Sequence, residues 1–272
     1  YRRCAECGHG FVLDQPQESD LKALFSESEE HSSTYTDVHS AEFRLSAIIQ
    51  PKLQWLLSHF ERLRGRKPES LLDVGAGGGH FVAGCRRAGI AAEGWELSRA
   101  SCRFAREAFG IDLVTQDFLA LAPERSYDVV TFWGLLEYTP EPRRFLERAH
   151  RCLRPDGMLV LEVPRVNCVG TAVQRAYPTR IARHMDPSSH VNCFSDASVA
   201  TALRQSGFSP CAAWYFGMDV YEVLVQFGME LRVEDILKRL GDVIPGLQGI
   251  VDSGYLCDDI IVAAVPDAGG HR

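Results

Sequence analysis

The sequence predicts an α/β fold in three layers: a doubly wound, mostly parallel sheet with helices on both faces. Three observations predict it. From residue 71 to residue 208, short apolar runs alternate with segments whose apolar residues recur at helical spacing, the pattern of successive βα units. The run Ser70-Leu71-Leu72 ends in an acid, Asp73, and passes through Gly75-Ala76-Gly77-Gly78-Gly79 into a helix-like segment starting near His80. Glycines there remove the Cβ that would keep a ligand off the backbone, and the helix behind them leaves orphan N–H groups aimed at the turn. The run Val129-Val130-Thr131-Phe132-Trp133 is almost continuously apolar, as in a strand buried on both faces of a parallel sheet.

In chain order, the first element is a knuckle. Residues 4–8 read C-x-x-C-G, in which two thiolates can face one tetrahedral zinc ion while the glycine permits the tight turn. Cys4 and Cys7 supply two of the four ligands of a closed site; the next cysteine is Cys85, and His9 follows Cys7 too closely to complete the set comfortably. Residues 13–37 are polar and acidic, so residues 1–37 read as the knuckle plus a linker or lid, with Tyr35 near its end. Residues 38–66 form an N-terminal helical segment: Leu45, Ile48, Leu53, Leu56, Phe60 and Leu63 keep helical spacing, and Pro51 kinks the run or starts a second helix.

The main domain spans residues 67–265. After the glycine turn, Phe81, Cys85 and Ala88 mark one helical face. Residues 91–98 read as a second strand ending in Glu96, and Ser98 caps a helix striped by Cys102, Ala105 and Phe109. A third strand is expected before Asp117-Phe118, a fourth at residues 127–133, and a fifth after the turn Arg154-Pro155-Asp156-Gly157. Residues 165–190, which hold Arg175, Tyr177, Arg180, Arg183 and His184, lose strand and helix periodicity and read as an insertion. His190-Val191-Asn192-Cys193-Phe194-Ser195 then leads into a helix with Val199 and Leu203. A sixth strand at residues 212–216, a helical insertion at about 217–254, a last strand at 259–265 and a tail at 266–272 complete the chain.

The glycine turn does not fit the dinucleotide fingerprint. Gly75 and Gly77 occupy the first two positions of G-x-G-x-x-G, but the third is His80, whose side chain would obstruct helix–strand packing in a pyrophosphate site. The form Asp73-Val74-Gly75-x-Gly77-x-Gly79 instead resembles motif I of the class I S-adenosylmethionine (SAM) methyltransferases, a Rossmann-like family. Three further pieces stand in register: Glu96 after the second strand, Asp117-Phe118 after the third, and Leu136-Glu137-Tyr138-Thr139-Pro140-Glu141-Pro142 after the fourth. The last is similar to the family's L-E-H-x-x-x-P, with Tyr138 in place of the histidine. Residues 190–195 with Gly207-Phe208 resemble a small-molecule group related to the quinone-biosynthesis methyltransferases.

The resemblance covers about residues 71–208. It implies a seven-stranded sheet with its last strand antiparallel, and SAM as cofactor. Asp73, Gly75, Ala76 and Gly77 would wrap the methionine moiety and ribose. Glu96, with Leu97, would take the two ribose hydroxyls, for which a carboxylate offers two acceptor oxygens. Asp117 would receive the adenine amine and the Phe118 N–H a ring nitrogen, with Trp133 at the exit of the fourth strand. His190, behind an insertion that would cover the acceptor, is the first candidate for a base and Tyr138 the second. Some bacterial members carry an N-terminal zinc ribbon. Cys4 and Cys7 look like its second half, so that zinc would be held in a full-length protein whose first C-x-x-C lies upstream of Tyr1.

Composition agrees with a soluble enzyme acting on a small molecule. The 272 residues are 46% hydrophobic and 24% charged, with a net charge of −7. Basic residues form no stripe, so a nucleic-acid substrate is not expected. No apolar run approaches the roughly 20 residues that cross a membrane, and no signal-peptide pattern is visible, although the chain begins with Tyr1 and reads as a fragment. Nine cysteines, an odd number, with Cys85, Cys102 and Cys152 on apolar helical faces, favour a reducing cytoplasmic setting over disulfides. The expected function is methyl transfer from SAM to an O, N or C atom of a small-molecule acceptor. The alternative is a non-catalytic SAM- or nucleoside-binding domain that docks a partner.

Overall fold

A computed structural model describes residues 1–17, 19, 20, 23, 26, 36–120, 126–176, 184–233 and 235–267. Tyr35, most of the acidic linker, Tyr177, Arg180, Arg183 and the end of the tail lie outside them. The chain opens with a hairpin of β1 (Arg2–Arg3) and β2 (Gly10–Phe11). A helical stretch follows: α1 (Ala41–Arg44), a π-helical turn (Leu45–Ile49) and α2 (Gln50–Arg64). Pro51 sits in the first turn of α2, where its missing N–H costs least. α2 buries Leu53, Leu56 and Phe60 and stops at Gly65, a left-handed cap whose N–H returns to the Glu61 carbonyl.

Regular βα alternation comes next: β3 (Ser70–Val74), α3 (His80–Arg87), β4 (Ala91–Trp95), α4 (Arg99–Phe109), β5 (Tyr127–Trp133), α5 (Pro142–Cys152) and β6 (Leu153–Pro164). The remainder is α6 (Val169–Ala176), β7 (Asn192–Cys193), α7 (Asp196–Gln205), β8 (Phe208–Phe216), α8 (Asp219–Leu231), α9 (Ile236–Leu240), α10 (Ile244–Ser253) and β9 (Asp259–Pro266).

The main sheet runs β4-β3-β5-β6-β9-β8. β3 pairs in parallel with β4 and β5, and β5 with β6; β9 is antiparallel to both β6 and β8. The last strand is thus reversed, as expected, and it lies one place in from the edge. Period-2 side chains divide the core between the faces. Leu71, Val129, Val160 and Ile261 pack with Leu53, Phe60 and Phe81 on one face. Leu72, Val130, Leu161 and Val262 pack with Leu146 and Leu203 on the other. That partition produces the three layers.

Several expectations need correction. Among the described residues the sheet has six strands rather than seven. The third strand is reduced to one parallel bridge, Trp95 with Val114. Gly110 caps α4 in the left-handed conformation, and Asp117 already folds a turn by accepting the Leu119 N–H at 2.9 Å, so few residues are left for a ladder. Residues 165–190 do hold a helix, α6, whose Val169, Ala172, Val173 and Ala176 keep helical spacing too briefly to stand out. Ala88 falls just beyond α3 and is exposed. α4 buries Ser101, Phe104 and Ala105, with Cys102 and Phe109 only half-buried.

Candidate active site

The cofactor side is built from the exits of β3, β4 and β5. Gly75 has φ of +72° and its missing Cβ would stand 3.1 Å from Leu135 Cδ1, so both conformation and space favour glycine there. The N–H groups of Gly75 and Ala76 donate to the Trp95 carbonyl at 2.8 and 3.0 Å, tying the turn to the end of β4. Glu96 follows, its Oε2 accepting from Gly77 N–H and its Oε1 from Ser98 N–H, each at 2.7 Å. Burial pushes the Glu96 carboxyl above its usual range against the pull of these donors. Each of its oxygens keeps a second lone pair, as a ribose diol requires.

Asp73 is buried beneath the turn and accepts from Thr131 Oγ1 at 2.7 Å; burial raises its carboxyl to about 7. Asp117 stands three residues after the bridge at Val114, while Phe118 packs into the core against Trp95 and Phe132. Trp133, leaving β5, stacks obliquely on Phe81, and its Nε1 is buried without a hydrogen-bond partner among the described residues. Such an orphan fits a site completed by a ligand. Gly75, Ala76, Gly77, Glu96, Leu97, Asp117 and Trp133 therefore lie at successive strand exits along one edge of the sheet, with Asp73 beneath the turn, and the acceptors Glu96 and Asp117 suit the hydroxyl and amine donors of SAM. His80 explains the failed dinucleotide fingerprint. It is buried against Phe104 and Phe109, and burial lowers its imidazole to about 4.

The second group gathers at the exits of β5 and β6 and the start of β9. After β5 a short 3-10 turn, Leu136–Tyr138, holds Glu137, only 3% exposed. Its Oε2 has no hydrogen-bond partner among the described residues, and burial pushes its carboxyl up to about 8. The Glu137 carbonyl accepts the Val191 N–H at 2.8 Å, and Asn192 Nδ2 donates to the carbonyls of Leu136 and Thr139. These bonds set His190 over the turn, its ring 4.7 Å from Tyr138 and 5.9 Å from His184, with Ser189 Oγ 3.1 Å from its Nδ1. The structure thus brings together the two predicted candidates, His190 and Tyr138. It adds Glu137, His184, Glu162, Asp258 and Asp259, to which sequence reasoning gave no role. Glu162 pairs with Lys52, whose ammonium lies 5.2 Å from the Trp133 ring centre and so links the two groups.

The knuckle closes as its sequence suggests, with Cys4 N–H donating to His9 O and Gly8 N–H to Cys4 O. No third metal ligand joins Cys4 and Cys7 among the described residues. His9 is engaged instead with Asn192 Oδ1 at 3.1 Å, and its ring packs on Phe194. The hairpin adds β7 as a third strand. Tyr1 Oη donates to the His190 carbonyl and Ser195 Oγ to the Cys7 carbonyl. The knuckle therefore braces the segment that carries His190.

Fold and site define a class I SAM-dependent methyltransferase. A family described as "methyltransferase domain" matches residues 47–212, and the chain belongs to it. Among curated proteins, the ubiquinone biosynthesis O-methyltransferase of Bordetella avium is 26% identical over 182 residues, 62% of this chain and 73% of that protein. The Neisseria meningitidis protein of the same name is 31% identical over 130 residues, 44% of this chain and 53% of that one. The chain thus spans about half the length of some of these relatives. Among solved structures, the plantazolicin methyltransferase BamL with bound S-adenosylhomocysteine (SAH) has a TM-score of 0.61 at 14% identity, covering 92% of this chain and 95% of that one. The SAH-bound magnesium protoporphyrin IX methyltransferase of Synechocystis PCC 6803 gives 0.61 and 14%, covering 92% and 100%. No helix among the described residues is long and apolar enough to cross a membrane.

Proposed function

We propose that this methyltransferase acts on an oxygen atom of a small-molecule acceptor bound against Glu137, Tyr138 and His190. SAM, when bound, supplies an electrophilic sulfonium methyl whose C–S bonding pair returns to sulfur as the acceptor bond forms. The chain's contribution is mainly to place the two partners in line. A hydroxyl acceptor also has to lose its proton, and a positioned base is needed for that. The observation that carries the reading is the juxtaposition of His190, Tyr138 and buried Glu137 at the exit of β5, beside the strand exits that form the SAM cradle. The O-methyltransferase names of the relatives favour oxygen over nitrogen or carbon.

In this reading His190 accepts the proton and Tyr138 orients the acceptor by ring contact. Glu96, Asp117 and the Gly75-Ala76-Gly77 turn hold SAM, and Cys4 and Cys7 hold zinc where the chain continues upstream. The test is SAH release from SAM with phenolic, amine and carbon-acid acceptors in parallel. Release with a phenolic acceptor, with the label recovered as a methyl ether, supports the proposal. SAM binding without SAH release across the panel returns the chain to a non-catalytic SAM-binding role.

A further inference from the structure

We propose that the ion pair Lys52–Glu162 receives the amino-acid end of SAM, the Lys52 ammonium taking its carboxylate and the Glu162 carboxylate taking its amino group. The inference rests on SAM as the cofactor, and it names charged partners for a moiety that the glycine turn only wraps.

Strand register places the pair. Val74 stands opposite Phe132, so Gly75, the next residue, leaves β3 beside Trp133, and Trp133 stands opposite Glu162 of β6. Neighbouring strands lie roughly 4.8 Å apart, which sets Glu162 two strands, or roughly 10 Å, from the glycine turn along one edge of the sheet. Lys52 reaches this row from α2. Its Nζ pairs with Glu162 Oε2 and lies 5.2 Å from the Trp133 ring centre and 5.7 Å from that of Phe216. Trp133 packs in turn on Phe81, in the first turn of the helix behind the glycines, with ring centres 4.6 Å apart. Ala76, Trp133 and Phe216 all border the apolar cluster that holds Leu53 and Phe60 of α2.

An ion pair is a poor filler for the border of an apolar cluster. Its side chains are only 12% and 16% exposed. Desolvating both charges offsets much of their attraction, so apolar residues of similar volume would serve stability as well. A zwitterionic ligand gives the pair a use, because its two charges match the pair head to tail. An ammonium carries three donors and a carboxylate two oxygens with about four lone-pair sites, so each partner has the valence to hold the other and one ligand group together. The faces of Trp133 and Phe216 fix the ammonium by cation–π attraction without consuming its donors in conventional hydrogen bonds. Trp133 adds a donor of its own, since its Nε1 is buried without a hydrogen-bond partner among the described residues.

The test is calorimetry with SAM and with decarboxylated SAM, which keeps the sulfonium and the amine and lacks only the carboxylate. No acceptor is needed. Lys52→Met keeps an apolar stem between the rings and deletes the charge. It should weaken SAM about tenfold or more and leave the affinity for decarboxylated SAM unchanged. Glu162→Gln should weaken both ligands, because both carry the amine. Either single change strands a charge, so the double variant Lys52→Met/Glu162→Gln is measured beside them, with circular dichroism to confirm folding. It carries the test if a single variant does not fold, and it should lose the wild-type preference for SAM over the decarboxylated form. Equal losses for the two ligands in Lys52→Met overturn the proposal, as does a double variant that keeps the preference. Wild-type affinity for both ligands in Glu162→Gln overturns it too. SAM bound at wild-type strength by every variant removes this assignment alone, whereas a wild-type chain that binds no SAM removes the cofactor reading along with it.

Discussion

The two ends of the candidate active site are held by different means. On the proposed cofactor side, polar groups are fixed by the backbone of the turns that leave neighbouring strands: Glu96 is gripped by Gly77, 19 residues away, and by Ser98, two residues away. On the acceptor side, His190 is placed by chain segments far off in sequence: Tyr1 at a separation of 189 residues, with its neighbour Asn192 tied to Leu136 at 56. The first arrangement is one supersecondary motif with short loop closures. The second must be assembled after the sheet exists, because long closures cost entropy that only tertiary contacts offset. The lesson is a division of labour. A local motif can keep one cofactor while distant segments are exchanged to suit different acceptors.

The largest effect should come from the acceptor side. A general base contributes typically about 10²–10⁴-fold in rate, so His190→Ala is expected to lower kcat by that order while SAM affinity stays near wild type. Single-turnover SAH release, read beside calorimetry with SAM, checks it. Equal losses in turnover and SAM affinity would show that the two sides are not separable.

Glu96→Ala is the converse experiment. Removing a charged acceptor for two hydroxyls should cost about 1–3 kcal/mol of SAM binding. Once saturating SAM is supplied, kcat should recover most of its wild-type value. Unchanged SAM affinity would refute the ribose assignment and leave Glu96 as a structural brace for the glycine turn.

Much of this contrast was legible in the sequence and some of it was not. Asp73, Gly75, Glu96 and Asp117 stand out in the sequence because the family resemblance sets an acid or a glycine at each of these positions, in register with successive apolar runs. The reversed last strand followed from family resemblance, and the antiparallel pairing of β9 with β6 and β8 agrees with it. The third strand shrank to the Val114 bridge because turn formation by Asp117 competes with the ladder, which apolar patterning alone does not register. Asp258 and Asp259 read as the polar start of a strand. Nothing in their spacing ties them to His184, 74 and 75 positions earlier in the chain, since that meeting depends on β9 pairing antiparallel with β6. Glu137 stands inside the motif that follows the fourth strand, but its burial depends on the tertiary fold and leaves no mark on the local pattern. The docking of the knuckle on β7 involves two-residue strands, too short for any periodicity to show.

A third experiment uses pH to separate the sides. Asp73 lies under the cofactor turn with its carboxyl raised by burial from 3.8 to about 7. Between those values the folded chain binds a proton that the unfolded chain releases. Its contribution to stability is therefore present at low pH and declines as pH rises through the window to about 7. Asp73→Asn should remove that part of the slope, so the variant should gain on wild type as pH rises. Urea unfolding at about pH 5 and about pH 8 measures the gap; a gap that does not move with pH would show that Asp73 is ionised throughout.

The smallest expected effect tests whether the knuckle acts on the acceptor side through a specific bond. Tyr1 Oη donates to the His190 carbonyl at 2.7 Å. Tyr1→Phe keeps the ring and deletes only the donor, so it should cost about 0.5–1.5 kcal/mol. The loss should be local: hydrogen exchange should quicken at Val191 and Val12, whose backbones are bonded to each other at 3.0 Å, while Gly77 and Ser98 keep wild-type protection. A modest fall in kcat with unchanged SAM affinity should accompany it, because the hairpin supports the backbone that carries His190. Uniform protection loss across both sides would mean that the hairpin stabilises the whole domain, and no change at Val191 would mean that the β2–β7 pairing holds His190 without help from Tyr1.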